Sequence, residues 1–270
     1  MAHTFWHKQV SKPLFPDLLW SKPENKQHAG KLLIIGGHAH GFAAPAQAYT
    51  IAEKTGIGIA RVLLPDHLRS QLTKLQGNTL AAEFAPSTPS GGFATLAVAE
   101  MLDASAWADG VLLAGDFGRN SETAVVLEKL VSKYSGIMTA TKDAVEYFLN
   151  APAAVIDRAN TCFVLTMAQL QKLATSAKFS HAITFGMDLL QLVDTLHEFT
   201  TKHRLHIIVK HHATILVAVN GQVSTTATKL GPEDSWRVVT ASAAAVWWLQ
   251  NPNKPYEALT TAVYEATNKL

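Results

Sequence analysis

The sequence predicts an α/β protein whose mostly parallel central sheet is covered by helices on both sides. From residue 31 onward, short apolar runs alternate with amphipathic segments of helix length. The runs are apolar at successive positions, as expected for parallel strands that are buried on both faces. Near the end of the chain, Asn220-Gly221 separates two extended runs. This is a strong hairpin signal and predicts an antiparallel addition at one edge of the sheet.

The first part of the alternation covers residues 31–140. A strand at 31–35 ends in two glycines, an alanine-rich helix follows at 43–54, and a strand at 59–64 is closed by Pro65-Asp66. A further strand at 79–85 leads into 86–92, the clearest proline- and glycine-rich loop of the chain. A helix at 93–106, a strand at 111–114, a helix at 122–133 and a strand at 136–140 complete the pattern.

In the last third of the chain the extended runs are separated by short turns and no longer by helices. The extended runs 207–210 and 214–219 are separated by only three residues, and Asn220-Gly221 joins the second run to 222–226. Two helices, 235–249 and 256–267, follow on either side of an Asn-Pro-Asn-Lys-Pro segment. Because neither a repeat nor a linker interrupts the pattern, residues 1–270 are predicted to form one domain, with 1–30 as an N-terminal extension packed on it.

Composition excludes several classes of protein. Hydrophobic residues make up 48% and charged residues 16% of the chain, which allows a sizeable core. The net charge of +2 comes without a Lys/Arg run, so no nucleic-acid partner is expected. No apolar stretch approaches the roughly 18 residues of a membrane span, and the first thirty residues lack the apolar core of a signal peptide. The single cysteine, Cys162, fits a reducing compartment, so we expect a cytoplasmic protein that binds a small molecule.

The turn at 35–41 (IGGHAHG) is the first candidate site. Its glycines let the backbone approach a ligand, and the N-terminus of the following helix offers N–H groups to an anion. A plain tight turn also favours glycine, and the spacing differs from the G-x-G-x-x-G fingerprint of dinucleotide-binding dehydrogenases. Asp66 stands where that class has its ribose-binding acid, so a dehydrogenase is kept as a weak alternative.

Two histidine pairs are further candidates. His38-x-His40 and His211-His212 lie far apart in the sequence, and neither an H-E-x-x-H motif nor a cysteine pair accompanies them. No metal site is therefore predicted. His38 and His211 are expected to line a pocket as neutral hydrogen-bonding groups near the carboxyl ends of strands.

Two short motifs have simple structural explanations. Asp116-Phe117-Gly118 matches the metal-binding triplet of protein kinases, but nothing else of that signature is present, which indicates a chance match. The segment 230–235 precedes a long helix, where an Asp or Ser side chain caps the free N–H groups. A functional role for this segment depends on a resemblance to known proteins.

Taken in order, these segments resemble the NAD(P)H-hydrate dehydratase family, a branch of the ribokinase-like superfamily that uses ADP or ATP to repair hydrated nicotinamide cofactors. Residues 30–62 are similar to the family's first strand, G-G-S turn, G-A-P helix start and G-x-G exit, and 109–127 resemble the G-P-G-L-G segment. Residues 163–173 fall where T-P-H-x-G-E stands, and 207–226 resemble the L-K-G-A-x-T strand pair at the nucleotide site. Residues 231–234 fall at the superfamily's G-x-G-D, and 255–265 are similar to the closing helix, so the resemblance covers nearly the whole chain.

The resemblance implies a ribokinase-like three-layer sandwich, a homo-oligomer, and a site for ADP or ATP with Mg²⁺ as an accompanying ion. In that chemistry the phosphate of the nucleotide is transferred to the hydroxyl of the hydrate, and its loss regenerates the nicotinamide ring. Asp234 corresponds to the general base that activates the hydroxyl. The implied nucleotide-binding residues are Lys210, His211, His212, Ala213, Thr214, Gly231 and Glu233, and the implied substrate-binding residues are Gly37, His38, Ala44, Gly118 and Ala168.

Several positions depart from the family pattern. Ala168 replaces the histidine that is expected to contact the hydrated cofactor. Ala114-Gly115-Asp116 stand in place of Gly-Pro-Gly, and Thr139 and Thr141 lie near two expected aspartates. The substrate end of the site is therefore predicted to differ from that of active family members.

Pro232-Glu233 is the most consequential departure, because the superfamily's glycine-rich turn presents backbone N–H groups to a phosphate. Proline has no N–H, and a carboxylate beside it repels phosphate, so weak nucleotide binding is predicted. Three functions remain open on the same fold. They are dehydration of hydrated NAD(P)H or of a similar phosphorylated ligand, a catalytically silent binding or assembly role, and phosphorylation of a sugar or vitamin precursor by a small-molecule kinase.

Overall fold

The computed structural model describes residues 4–74, 80–229 and 233–268, without the side chains of residues 74 and 233–235. Within that description ten strands form one sheet. In chain order they are β1 (Trp6–Gln9), β2 (Lys31–Gly36), β3 (Ile59–Pro65), β4 (Ala82–Ala85), β5 (Gly110–Gly115), β6 (Ile137–Thr141), β7 (Thr161–Leu165), β8 (His206–His211), β9 (Thr214–Val219) and β10 (Gln222–Ala227).

Helices connect most of these strands, and polar residues fix where several of them begin. The Asn120 side chain accepts the N–H groups of Glu122 and Thr123 at the first turn of one helix, and two others start with a complete capping box. The helices are α1 (Pro16–Trp20), α2 (Ala43–Thr55), α3 (Arg69–Lys74), α4 (Val98–Trp107), α5 (Ser121–Lys133), α6 (Asp143–Leu149), α7 (Met167–Ser176), α8 (Leu189–Lys202), α9 (Glu233–Gln250) and α10 (Pro255–Asn268).

The strand order confirms a mostly parallel sheet with an antiparallel edge. It runs β1-β10-β9-β8-β7-β6-β5-β2-β3-β4, and every neighbouring pair from β8 to β4 is parallel. Strand β9 is antiparallel to both β8 and β10, as the sequence predicts. Asn220 and Gly221, which join β9 to β10, have φ values of +48° and +79°. Positive φ at both central residues is what a two-residue type I′ hairpin requires.

Both faces of the sheet are buried, which explains why its strands are apolar at successive positions. In β2, Leu33 and Ile35 belong to the core on the face covered by α4 to α8, whereas Leu32 and Ile34 belong to the core beneath α2, α9 and α10. The sheet is therefore the middle layer of three. Cys162 on β7 is fully buried, and burial raises the pKa of its thiol.

Three local features differ from the sequence-based expectation. Helix α4 begins at Val98, later than predicted, because a short 3-10 turn at Thr95–Ala97 precedes it. Strand β4 covers only the end of the predicted run 79–85. Residues Trp6–Gln9 form a strand that pairs in parallel with β10, and the Trp6 indole N–H donates to Thr225 Oγ1 at 3.0 Å. None of the helices in the described ranges has both the length and the apolar character needed to cross a membrane.

The connections place a switch point between β2 and β5. From β2 the chain moves outward to β3 and β4, then returns to β5 on the other side of β2 and moves outward to β8. Ligands of open α/β sheets bind where the loops diverge in this way, at the carboxyl ends of the strands. The β8–β9 turn and the end of β10, which precedes α9, lie at the same edge because β10 runs parallel to β8. We call this side of the sheet the carboxyl edge.

Candidate functional site

The loops after β2 and β5 enclose a crevice of about 360 Å³ at the switch point. Backbone hydrogen bonds hold it together: the Gly37 N–H donates to the Gly115 carbonyl at 3.1 Å, and His38 and Gly41 exchange two bonds of 2.9 Å. Its lining residues are His38, His40, Gly41, Asp116, Gly118 and Asp143. His38, His40 and Gly41 belong to the candidate turn 35–41, and Gly118 is an implied substrate residue, whereas the sequence analysis assigns no site role to Asp116 or Asp143.

A side chain at position 118 is excluded for two reasons. Gly118 has a φ of +70°, in the left-handed region that favours glycine. A Cβ at this position would come within 2.8 Å of the Cδ2 atom of His38. The imidazole therefore packs directly against the backbone of the β5 loop, and the glycine brings the two loops together.

Asp116 and Lys142 form an ion pair between the loops that follow β5 and β6. Lys142 Nζ lies 3.1 Å from Asp116 Oδ1, and the two side chains are 24% and 20% exposed. Both residues have positive φ, +60° for Asp116 and +54° for Lys142. Such a backbone costs about 1–2 kcal/mol per residue outside glycine. Strain of this kind persists only where the surroundings enforce it, and it is common at functional sites.

The same Asp116 carboxylate caps helix α2. Its Oδ2 accepts the Ala44 N–H at 2.7 Å, and the residue at the N-cap position, Phe42, provides no side-chain acceptor. The first turn of α2 thus uses a carboxylate from a neighbouring loop. One N–H group of the helix terminus that the sequence analysis offers to an anion therefore already binds a carboxylate of the chain.

Asp143, the first residue of α6, has the most unusual environment in the crevice. The Gly118 N–H donates to its Oδ2 at 3.0 Å, while Oδ1 is buried and makes no hydrogen bond of standard geometry within the described part of the chain. Burial raises the pKa of the carboxyl, and the Asp116 carboxylate adds to the rise, against the N–H groups of Gly118 and Asp116 and the Lys142 ammonium group. Carboxyls of this kind are well suited to exchange protons with a ligand.

The His38 imidazole is shifted toward its neutral form. Burial lowers its pKa from the ordinary 6.5, the neighbouring His40 and His67 lower it further, and Asp143 opposes the change. The rings of His38 and His40 lie 5.3 Å apart. At neutral pH His38 is therefore uncharged and presents one donor and one acceptor nitrogen.

A larger cavity of about 590 Å³ lies between α5 and α6, and it shares Gly118 and Asp143 with the crevice. The Tyr147 hydroxyl donates to the Gly118 carbonyl at 2.7 Å, and burial raises the pKa of this phenol. Lys172 Nζ lies 3.6 Å from Glu146 at the exposed side. The other lining residues are Arg119, Asn120, Ala124 and Asn150. The crevice and this cavity therefore both border Gly118 and Asp143.

The nucleotide-site residues implied by the resemblance lie elsewhere on the carboxyl edge. Strand β8 is three positions from β5 in the sheet, which corresponds to about 14 Å at the usual strand spacing. Lys210 is half-buried, and its Nζ lies 5.9 Å from the centre of the Trp236 ring in the first turn of α9. The contact joins the end of β8 to the beginning of α9.

The remaining residues of the β8–β9 turn differ in exposure. His211 is buried, with Nε2 paired to the Met187 carbonyl at 3.0 Å, whereas His212 is exposed with a φ of +50°. Ala213 is exposed and Thr214 is half-buried. His211 therefore serves the packing of the preceding loop, and His212, Ala213 and Thr214 are the accessible part of the turn.

The residue to which the resemblance assigns catalysis, Asp234, has a described backbone but no described side chain. Gly231 lies outside the described residues, and so do the side chains of Glu233 and Asp234. The backbone of α9 begins at Glu233, so Glu233 and Asp234 belong to its first turn. The roles inferred for these three residues remain predictions.

The substrate residues implied by the resemblance are only partly brought together. His38, Ala44 and Gly118 meet around Asp116 and the crevice. Gly37 is buried beneath them, where a Cβ would come within about 3 Å of the Leu64 side chain. Ala168 is exposed on α7 and belongs to the lining of neither cavity described above.

Sequence reasoning missed Lys142 and Asp143 and dismissed Asp116. One signal points to them: each lies within two residues of the carboxyl end of a parallel strand, where ligand sites form. Their mutual contacts have no sequence signature, because they depend on the spacing of neighbouring loops. Within residues 4–74, 80–229 and 233–268, no three His, Cys, Asp or Glu side chains converge as a metal site.

No model of a known protein family matches the sequence, and no curated protein matches it either. Solved structures do match over most of the chain. A ribokinase-like superfamily protein from Enterococcus faecalis V583 has a TM-score of 0.70 at 14% identity, covering 99% of this chain and 88% of that one. An ADP/ATP-dependent NAD(P)H-hydrate dehydratase from Bacillus subtilis, co-crystallized with ATP/Mg²⁺, has a TM-score of 0.63 at 12% identity, covering 95% and 88%.

A phosphomethylpyrimidine kinase from Clostridium difficile 630 has a TM-score of 0.53 at 10% identity, covering 88% of this chain and 97% of that one. At these identities the likeness establishes the fold alone. The chain therefore has a ribokinase-like α/β fold. The dehydratase and the kinase show that more than one reaction is carried out on this fold.

Proposed function

We propose that this protein is a nucleotide-dependent enzyme acting in the crevice between β2 and β5, and more specifically an ADP- or ATP-dependent dehydratase of hydrated NAD(P)H or of a similar phosphorylated ligand. One observation carries the proposal. The switch point holds an open crevice in which the protonation-prone carboxyl of Asp143 and the neutral imidazole of His38 share the lining. Both groups can exchange hydrogen bonds with a ligand hydroxyl.

The sequence resemblance supplies the division of roles along the carboxyl edge. Lys210 and the β8–β9 turn contact the nucleotide phosphates, and Asp234 at the start of α9 deprotonates the hydroxyl that accepts phosphate. His38 and the Gly118 backbone hold that hydroxyl in the crevice. Mg²⁺ bound mainly through nucleotide phosphates needs only one or two protein carboxylates, so the residues at this edge are compatible with it.

Nucleotide binding is the first test. Calorimetric titration with ADP and ATP, with and without magnesium, is expected to give saturable binding. Lys210→Met should weaken it roughly tenfold or more, because a hydrogen bond to a charged group contributes about 1.5–3 kcal/mol. Lys202→Met, at the exposed end of α8, is the matched control and should bind as the wild type does.

Turnover is the second test. The wild type is expected to form NADH from hydrated NADH only when ADP or ATP is present. A panel of alcohols that includes sugars and vitamin precursors, assayed with the same nucleotides, tests the small-molecule kinase. Phosphorylation of an alcohol without NADH formation from the hydrate would replace the dehydratase with a kinase.

A catalytically silent binding or assembly protein is the second candidate function. The specific observation in its favour is that the Asp116 carboxylate already occupies the N-terminus of α2 and pairs with Lys142. Pro232-Glu233 adds to this by removing an N–H donor from the turn before α9. Absence of measurable ADP and ATP binding by the wild type would support this candidate and contradict the enzyme.

A further inference from the structure

Dehydration of a hydrate through its phosphate ester needs proton transfers at two different atoms. In the first step a base takes the hydroxyl proton while the oxygen attacks phosphorus, which is the role proposed above for Asp234. In the second step the C–O bond to phosphate breaks, and the neighbouring carbon loses a proton. The electron pair of that C–H bond forms the carbon–carbon double bond, and the phosphate leaves with the pair of the C–O bond. The carbon-bound proton needs its own acceptor.

We propose that Asp143 is the base that removes this carbon-bound proton. The inference rests on the proposed dehydratase function and adds a second catalytic residue to it. Asp143 is the one titratable residue shared by the linings of the crevice and of the α5–α6 cavity described above. A ligand in either space therefore lies beside the Asp143 side chain.

Two glycines, one at the end of β5 and one in the loop that follows, hold the Asp143 carboxyl in one orientation. The Gly118 N–H binds Oδ2, and the absence of a side chain at Gly115 leaves room for Oδ1, since a Cβ there would come within 3.0 Å of it. Asp143 also begins α6, so its backbone is fixed by the helix. A base must be placed accurately relative to the proton that it removes.

Burial is the main reason why this carboxylate is basic. Lys142, the adjacent cation, directs its ammonium group to Asp116 at 3.1 Å. The other ionisable groups that line the two cavities are His38 and His40 on the β2 loop, Arg119, Tyr147 and the Glu146–Lys172 pair. Burial, followed by the Asp116 carboxylate, raises the pKa of Asp143. Its ionised form is thus a stronger base than an exposed aspartate.

The experiment separates the two chemical steps. Asp143→Asn retains an oxygen that can accept the Gly118 N–H but cannot take up a proton. In single-turnover reactions with hydrated NADH and ATP, followed by phosphorus NMR, we expect phosphate transfer at near the wild-type rate. The phosphorylated hydrate should accumulate, with NADH formation slowed roughly 10²–10⁴-fold. Hydrate deuterated at the carbon next to the hydroxyl-bearing carbon should slow NADH formation by the wild type.

Asp103→Asn is the matched control, because it makes the same substitution at an exposed site on α4 and should leave both steps unchanged. Thermal melting followed by circular dichroism verifies that each variant is folded. If Asp143→Asn does not melt cooperatively, Asp143→Ala is used with added formate, which should restore NADH formation by acting as the missing base.

The outcomes distinguish a failure of the role proposed for Asp143 from a failure of the dehydratase function. Wild-type NADH formation by folded Asp143→Asn, loss of phosphate transfer together with elimination, or failure of formate to restore Asp143→Ala each overturns the role of Asp143 alone. A wild type that consumes no nucleotide in the presence of the hydrate overturns the dehydratase function, and the elimination step with it.

Discussion

The crevice between β2 and β5 and the β8–β9 turn lie on the same edge of the sheet but are built in different ways. The crevice depends on contacts between loops that follow separate strands. Asp116 accepts a hydrogen bond from the first turn of α2 and pairs with Lys142. Gly118 packs against His38 and donates its N–H to Asp143. The β8–β9 turn is a local hairpin of consecutive residues, in which His211 pairs with Thr214. The sequence resemblance covers both regions, with Gly118 in the crevice and Lys210 beside the turn, but only the turn is built from consecutive residues.

The largest expected effect tests whether the two regions act as one site. Asp234→Asn should lower NADH formation roughly 10²–10⁴-fold, since a general base is lost. Its melting temperature should stay close to that of the wild type, because the change removes only the favourable interaction of one charge in the first turn of α9 with the helix dipole, about 0.3–1 kcal/mol. Turnover and melting are measured on the same preparation. Unchanged turnover would show that Asp234 is not the general base and leave the crevice to act without it.

The second prediction concerns the stability of the crevice. Gly118→Ala should lower the free energy of unfolding by about 2 kcal/mol or more, because alanine is strained at positive φ and its Cβ meets the His38 ring. Gly186→Ala is the matched control, since a Cβ there has nothing within 4 Å. Denaturant titration of both variants checks the difference. Equal stability of the two would mean that the β2 and β5 loops are not held together as tightly as the contacts indicate.

The third prediction tests the nucleotide end. Replacing Pro232 and Glu233 by glycine restores an N–H donor and removes a carboxylate, so ADP affinity should rise about tenfold, or about 1.4 kcal/mol. Calorimetry of the double variant against the wild type measures the gain. Replacing the two residues one at a time separates the contribution of the missing donor from that of the charge. No gain in either form would show that the phosphate does not bind at this turn.

The smallest expected effect is a pH dependence that belongs to the crevice alone. Because the folded protein raises the pKa of Asp143 above the ordinary 3.8, the unfolded chain ionises first as the pH rises. The stability contributed by this group is therefore present at low pH and is lost as the pH rises from about 4 through the folded pKa. Across this range the melting temperature of the wild type should fall relative to that of Asp143→Asn as the pH increases. A constant difference would contradict the raised pKa.

Much of the fold follows from the sequence because its signals are local. The strands from β2 to β6 and the helices α2, α5, α9 and α10 lie within a few residues of their predicted bounds. Strand β1 was not predicted, because four residues of mixed polarity become a strand only by pairing with β10, more than 200 positions away. Helices α6 to α8 also escaped the sequence analysis, although two of them carry complete capping boxes that offered a signal.

The candidate site was predicted less completely. The structure brings His38 and Gly118, two of the implied substrate residues, together in the crevice, whereas Ala168 lies apart from it on the exposed part of α7. Lys210 and the rest of the β8–β9 turn were identified as a unit because they are contiguous. The nucleotide and catalytic roles assigned to this end of the sheet remain predictions.

The sequence by itself determined the three-layer α/β architecture, the type I′ hairpin at Asn220-Gly221 and the places where strands give way to loops. Hydrophobic periodicity and turn residues act over a few positions, and they need no knowledge of which strands become neighbours. Only the tertiary structure decided that Asp116, Lys142 and Asp143 meet beside His38. Strand order sets the spacing of their loops, and both the partners of a buried charge and its pKa depend on that spacing.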